Sequence, residues 1–185
     1  MKGRQAMKKN PFSEIPRLES DRLILRQITP ADAGVLAGLA RSAEVYRYLP
    51  TFLYEQKYAD IHRVIDGMYS ECPKESLILG VFLRKPERFC GLAEMYGFRD
   101  DIHKISIGYR FLKECWGQGI ASETVGLLVG YLLHGTDIEI ITASTMVENR
   151  ASARVLTKNG FTLVSSHVGE DWGYDRPTLA DKWIL

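Results

Sequence analysis

A mixed α/β fold, one sheet flanked by helices, is predicted by three features of this sequence. Strand-type apolar runs follow one another between residues 77 and 112. Helix-spaced apolar runs separate the remaining strands. At the centre, the run 105–112 passes through the glycine-rich turn Cys115-Trp116-Gly117-Gln118-Gly119 into a helix-spaced run over 121–133. The resulting order, β-α-α-β-β-β-α-β-α-β-β, gives antiparallel hairpins followed by a β-α-β crossover.

Leu23-Ile24-Leu25-Arg26 is the first strand. Thr29-Pro30-Ala31-Asp32 then starts a helix, with Thr29 as N-cap, Pro30 first and Asp32 third. Tyr58, Ile61, Ile65 and Met68 stand at three- and four-residue steps, which predicts one helix over 55–70. Strands follow at 77–83, 91–96 and 104–112, with turns at Lys85-Pro86-Glu87-Arg88 and Arg99-Asp100-Asp101. A helix over 120–134 buries Ala121, Val125, Leu128, Val129 and Leu132, and Gly135-Thr136-Asp137 ends it. A strand at 139–145 leads to a short helix over 149–159. Gly160 and Phe161 give that helix a Schellman ending, with Phe161 reaching back to Leu156. Strands at 162–168 and 182–185 complete the pattern.

The chain has 185 residues, enough for one filled core, and no repeat or linker-like segment divides it. Residues 1–17 read as a basic tail and 18–185 as a single domain. Hydrophobic residues make up 45% and charged residues 25%, with a net charge of +1, so nothing global favours nucleic acid or a membrane surface. No apolar segment follows the basic start, and the longest apolar patch is broken by Gly130. Cys72, Cys90 and Cys115 are odd in number and lack nearby His pairs. They read as reduced thiols of a cytoplasmic protein, with neither zinc nor a disulfide framework.

A small-residue turn that ends a strand and opens a helix exposes backbone N–H groups at the positive end of the helix dipole, which suits phosphate. A lone Gly-x-Gly is often only a turn. No Lys-Ser/Thr pair follows, which excludes a P-loop. The third glycine and the acidic residue of a dinucleotide fingerprint are also missing.

Three segments in order carry a resemblance: Asp21-Arg22-Leu23-Ile24-Leu25-Arg26 with Asp32; Ile107-Gly108-Tyr109 through Trp116-Gly117-Gln118-Gly119-Ile120-Ala121; and Asn149-Arg150-Ala151-Ser152 through Lys158-Asn159-Gly160-Phe161. From Leu18 onward the chain resembles the GNAT family of acetyl-CoA-dependent N-acetyltransferases, in the branch of the ribosomal-protein-alanine acetyltransferases. The resemblance implies a mostly antiparallel sheet of about seven strands with about four helices. It implies acetyl-CoA as cosubstrate, no metal, a primary amine as acceptor (a protein N-terminus or a small molecule), and a monomer or homodimer.

The family's phosphate-loop signature begins with Gln or Arg. Here Trp116 stands at that position, followed by Gly119 and Ala121, and backbone N–H groups would hold the pyrophosphate. The resemblance places the main chain of Tyr109, Arg110 and Phe111 along the pantetheine arm, where the side chains would otherwise read as core strand residues. It gives Asn149 a bond to the same arm beside its N-cap role. The family's catalytic Tyr falls on Leu156, which cannot donate a proton. The branch instead has a Ser at the position of Ser152, so the resemblance assigns Ser152 as thiolate stabiliser or proton donor, against a plain helix-start serine.

A Glu common before Ile-Gly-Tyr is replaced by Ser106. The branch also has an acidic residue about ten positions beyond the Gly-Phe pair, and the resemblance lands it on Glu170 or Asp171. Glu170 is preferred for its longer reach, with Glu94 as a second candidate and water as a further carrier. His103 reads as a surface residue. The acceptor-side loops 49–54 and 166–178 carry Phe52, Tyr54, Trp172 and Tyr174, which suit stacking but also suit core rims. Loss of both the strand Glu and the helix Tyr favours the rival reading, a non-catalytic acyl-CoA-binding sensor or interaction module. A nucleotide-binding protein is a third reading.

Overall fold

The computed structural model describes residues 10–69 and 76–185. Eight strands form one sheet: β1 (Leu18–Glu19), β2 (Leu23–Arg26), β3 (Ser76–Arg84), β4 (Glu87–Arg99), β5 (Lys104–Phe111), β6 (Ile140–Met146), β7 (Thr162–Glu170) and β8 (Thr178–Ile184). Their spatial order is β1-β2-β3-β4-β5-β6-β8-β7. Every pairing is antiparallel except β5 with β6. The helices are α1 (Ala33–Ala40), α2 (Ala43–Tyr46), α3 (Tyr54–Lys57), α4 (Ile61–Val64), α5 (Ile120–Gly135) and α6 (Arg150–Lys158).

The two-residue period of the strands divides the apolar residues between two layers. Leu77, Leu79 and Val81 of β3 join Ile105, Ile107 and Phe111 of β5 in the layer under α5 and α6. Ile78 and Phe82 point the other way, into the layer under α1, α2 and α4. Helices cover both faces, which is why β3 is a nearly unbroken apolar run.

The start at Thr29 forms as expected. Pro30–Asp32 is a 3-10 turn, and the Asp32 carboxylate accepts Thr29 N–H and Thr29 Oγ1–H at 2.9 Å each. Burial raises the Asp32 carboxyl, but bonds from Arg26 and Thr29 outweigh it and hold it below its ordinary value. The Schellman ending also forms. Gly160 has φ +86, Phe161 N–H donates to Leu156 O at 3.1 Å, and Gly160 N–H donates to Thr157 O at 3.1 Å.

Several expectations need correction. Within the expected sheet, the two-residue β1 is a strand that the sequence pattern did not show, pairing with β2 through Leu18↔Leu25 and Glu19↔Ile24. Strand β8 begins at Thr178, ahead of the expected 182, because it is the only strand between β6 and β7 and must pair with both. The single helix over 55–70 is broken. Tyr58 is extended (φ -108, ψ 126), Asp60 accepts His62 N–H at 3.0 Å to start α4, and Ile65–Tyr69 continues as a π turn. The expected stripe is displaced as well. Tyr58 is 43% exposed whereas Glu55 is buried, drawn inward by Arg110. Residue 70, the expected end of that helix, and Cys72 lie outside the described residues. The sequence pattern also missed α2, which Ser42 opens by accepting Val45 N–H at 3.4 Å.

The first nine residues of the expected tail lie outside the described residues, but Phe12 and Ile15 pack against the core ahead of Leu18. Phe12 meets Phe98 edge-on, with ring centroids 5.6 Å apart.

Candidate active site

The single parallel pairing of the sheet creates the site. Strand β5 pairs with β6 only over Lys104–Ser106 against Ile140–Thr142. Beyond that point β5 stays with β4, while β6 turns toward β8 and pairs with it up to Met146. The main chain from Ile107 to Phe111 therefore has a strand on one side only. Buried unpaired N–H and C=O groups are costly, so such an edge asks for a ligand with amides of its own. A cavity of about 790 Å³ opens there. Its walls include Tyr109, Arg110 and Phe111 on one lip and Thr142, Ala143, Ser144 and Thr145 on the other. Ser106 Oγ and Thr142 Oγ1, 2.8 Å apart, pin the lips together at the closed end.

The glycine turn lies at the far end of β5. A 3-10 turn at Lys113–Cys115 leads to Trp116, and Gly117 (φ +72) and Gly119 (φ +78) adopt left-handed backbone. Gly119 is the N-cap of α5 and supplies no side-chain cap, so the N–H groups of the first turn face outward. Trp116, Gly117 and Ala121 line the cavity, whereas Gln118, Gly119 and Ile120 build the turn behind them. Ile120 packs its side chain in the core. Trp116 Nε1–H donates to Phe111 O at 2.8 Å, so the residue that departs from the phosphate-loop signature folds the turn over the end of the strand. Arg22, which sequence reasoning did not single out as a site residue, donates from Nη1 to Gln118 O at 3.3 Å and from Nε to Glu123 at 2.8 Å. It thereby neutralises a carboxylate that would repel an anion at this helix end.

Asn149 and Ser152 come together as expected. Asn149 Oδ1 accepts Ser152 N–H at 3.1 Å, opening α6 toward the cavity. Ser152 Oγ lies 2.7 Å from the Tyr109 hydroxyl, so the Tyr109 side chain joins β5 to the start of α6. Leu156, where the family's Tyr would stand, is fully buried.

The expectation for Arg110 concerned its main chain; its side chain has a separate, structural place. It turns to the α1–α4 face, where the guanidinium pairs with buried Glu55 and, at 3.2 Å, with Glu94. Tyr46 and Tyr69 donate their hydroxyls to Glu55 at 2.7 and 2.9 Å. Burial alone would raise the Glu55 carboxyl, but Arg110 and the two phenols hold it below its ordinary value. This array fastens α2, α3 and the π turn to the strand that lines the cavity. The charge of Glu94, a carboxylate inside a sheet, is explained by Arg110 and by Ser76 Oγ–H at 2.9 Å.

Glu94, Glu170 and Asp171 all line the cavity. Glu170 is paired with Lys182 and accepts Trp172 Nε1–H at 3.2 Å. Asp171 accepts Gly173 N–H at 2.9 Å, a turn-forming role. Tyr96, absent from the sequence reading, stands near both glutamates. Burial and the charges of Glu94 and Glu170 push its hydroxyl well above the ordinary value. The two acceptor-side loops are joined, with Thr51 N–H donating to Trp172 O at 2.8 Å and Tyr174 hydroxyl donating to Leu49 O at 2.8 Å. His103 is exposed, as expected of a surface residue.

Nothing in the sequence marked Glu55 or Lys182 as partners of site residues, or Tyr46 and Tyr69 as partners of Glu55, since these contacts join separate elements that no local pattern brings together. Among the described residues, no group of three or more His, Cys, Asp or Glu side chains is placed to hold a metal. No helix among them is long and apolar enough to cross a membrane.

Comparison with known proteins agrees with this geometry. Residues 22–162 match the family model described as an acetyltransferase (GNAT) domain. The uncharacterized N-acetyltransferase YoaA of Bacillus subtilis (strain 168) is 31% identical over 148 residues, covering 79% of this chain and 82% of its own. The fold is similar to that of RimL, a ribosomal L7/L12 alpha-N-protein acetyltransferase solved with coenzyme A. Its TM-score is 0.77 at 17% identity, covering 92% of this chain and 97% of that one. Spermidine N-acetyltransferase from Vibrio cholerae, solved with CoA and spermine, gives a TM-score of 0.71 at 15% identity, covering 90% and 96%. With its family model spanning most of the sequence, from β2 into β7, the chain belongs to the GNAT family of acetyltransferases, which transfer acetyl from acetyl-CoA.

Proposed function

We propose that this enzyme is a single catalytic domain acting in the cytoplasm, and that it transfers the acetyl group to a primary amine by direct attack within a ternary complex. The observation that carries the reading is the half-paired main chain of Ile107 to Phe111, with an uncapped helix start beyond its end and Ser152 beside Tyr109. Coenzyme A has the groups this track lacks: amides for the free strand edge and a diphosphate for the N–H groups after Gly119. Tyr109, Arg110, Phe111 and Asn149 would hold the arm. Trp116, Gly117, Gln118, Gly119, Ile120 and Ala121 would form the diphosphate turn.

The strand's N–H groups polarise the acetyl oxygen, which lowers the barrier to attack by the amine. Glu170 receives the proton that the amine loses on forming its new C–N bond. Glu94, beside the same Tyr96, is the alternative acceptor of that proton. Ser152 donates to the sulfur as the C–S bond breaks. The two acceptor-side loops are joined at Thr51 and Trp172, and Phe52, Glu170 and Trp172 on the cavity wall would face the incoming amine. Fold neighbours whose names specify a ribosomal protein and spermidine show that one architecture serves both a protein N-terminus and a small amine.

The test is thiol release from acetyl-CoA against a panel of N-terminal peptides and small amines. Ser152→Ala is expected to lower kcat about 10- to 100-fold with the KM for acetyl-CoA nearly unchanged. Tight CoA binding with no turnover on any acceptor would replace this reading with the non-catalytic one.

A further inference from the structure

Tyr109 projects to the same face of β5 as Ile107 and Phe111, beneath α5 and α6. Its hydroxyl has two partners, Ser152 Oγ at 2.7 Å and Ser152 O at 3.4 Å. The first is the shorter, and either hydroxyl can supply its proton; the backbone carbonyl can only accept. Burial pushes the Tyr109 hydroxyl up to about 12, so it keeps its own proton throughout the neutral range. A serine hydroxyl has one proton and two lone pairs, and left alone it rotates among three positions. When Tyr109 is the donor of the 2.7 Å bond, the proton of Ser152 must point elsewhere. Both residues line the cavity, so the open direction is the gap between β5 and β6.

We propose that Tyr109 is a positioning residue for the leaving group: its phenol donates to Ser152 Oγ and so turns the Ser152 proton toward the coenzyme sulfur. This rests on the assignment of Ser152 to the thiolate. When the C–S bond breaks, its electron pair stays on sulfur and Ser152 donates a hydrogen bond while keeping its proton. Glu170 passes the proton taken from the amine to solvent, and the departing thiolate takes its own proton from water. The high proton affinity of Tyr109 matters here, because a phenol that ionised would withdraw its bond from Ser152 and release the serine rotor. The charged and titratable groups on the elements packed around the pair are Arg150, Arg154 and Lys158 on the exposed side of α6, and Glu123, Tyr131 and His134 of α5, of which Arg22 neutralises Glu123. Lys104 and Arg110 of β5 belong to the opposite face. The buried residues of β6 beneath α6 (Ile141, Ala143 and Thr145) do not titrate.

The experiment needs no acceptor. Coenzyme A itself is bound at saturation to the wild type, Tyr109→Phe, Ser152→Ala and the double variant. The ultraviolet absorbance of its thiolate is then followed against pH. In the wild type the bound thiol is expected to titrate below the free thiol. Tyr109→Phe, which keeps the ring and its packing, should raise that titration by about one pH unit. Ser152→Ala should raise it at least as far, and the double variant no further than Ser152→Ala. A Tyr109→Phe titration matching the wild type, beside a shifted Ser152→Ala, would overturn the role of Tyr109 and leave Ser152 standing. A double variant displaced well beyond Ser152→Ala would overturn it too, because Tyr109 would then act on sulfur directly. If Ser152→Ala leaves the bound thiol unmoved, both assignments fall, and if CoA does not bind the wild type, the coenzyme site falls with them.

Discussion

Glu55→Gln tests whether the buried array around Arg110 holds the coenzyme strand to the helical layer above it. The Arg110 and Glu55 side chains are 2% and 0% exposed, so removing the Glu55 charge leaves a guanidinium with little water to replace it. Breaking such a pair from one side costs about 3–5 kcal/mol. Glu94 remains 3.2 Å from Arg110 and is itself 16% exposed, which places the loss near the lower end, at about 3 kcal/mol. Glutamine still offers one oxygen to Tyr46 or Tyr69, so a single phenol loses its acceptor. At this chain length the melting temperature should fall by about 6–12 °C, read by circular dichroism without ligand.

The acid limb gives a second reading of the same pair. The folded-state pKa of Glu55 is depressed, so its contribution is full above the unfolded value of about 4.3 and is lost as pH falls through the folded value. The difference between wild type and Glu55→Gln should therefore narrow in acid. Arg110 lines the cavity, so the KM for acetyl-CoA should rise with the loss of stability. A melting temperature within about 2 °C of the wild type would refute the reasoning, because burial of the pair would then confer no net dependence on its charge.

The parts of this molecule that were legible in the sequence are those that short-range chemistry specifies. Thr29-Pro30-Ala31-Asp32 places a cap, a φ-restricted proline and a carboxylate within one turn, and that turn forms. Leu156, Gly160 and Phe161 supply the positions of a Schellman ending, and both of its hydrogen bonds are present. Asn149 and Ser152 are three residues apart on one helix start, so their bond was readable. The 55–70 segment failed because a three- and four-residue apolar step is compatible with several short helices. Its register was decided by Glu55 reaching Arg110, a partner 55 positions away in the chain. Lys182 pairs with Glu170, and Ser76 donates to Glu94, through strand neighbours that periodicity does not reveal. The opening between β5 and β6 was legible only through the family resemblance, since nothing local states where a parallel pairing stops.

Two further substitutions probe the coenzyme turn and the entry to the helical layer. Gly119→Ala keeps space for a methyl group, with Arg22 Nη2 the nearest atom at 3.6 Å, but forces a Cβ onto φ +78. It should cost about 1–2 kcal/mol and raise the KM for acetyl-CoA more than it lowers kcat; an unchanged KM in steady-state kinetics would remove this turn from the coenzyme site. Asp32→Asn acts on the fold rather than the chemistry. Arg26 forks onto Asp32 at 2.9 and 3.0 Å, while Thr29 donates to the same carboxylate. Loss of its charge should cost about 1–2 kcal/mol at neutral pH, seen as a lower denaturant midpoint. Its folded-state pKa lies below the unfolded value of about 3.9, so this stabilisation is present above that value and disappears as pH falls through the folded one. The gap between wild type and variant should close over that acid range, because the protonated wild-type carboxyl and the amide are then alike in charge. A gap of constant size from neutral pH into that range would mean that Asp32 acts through shape and hydrogen bonding alone, and that the ion pair with Arg26 adds nothing to the stability of the turn.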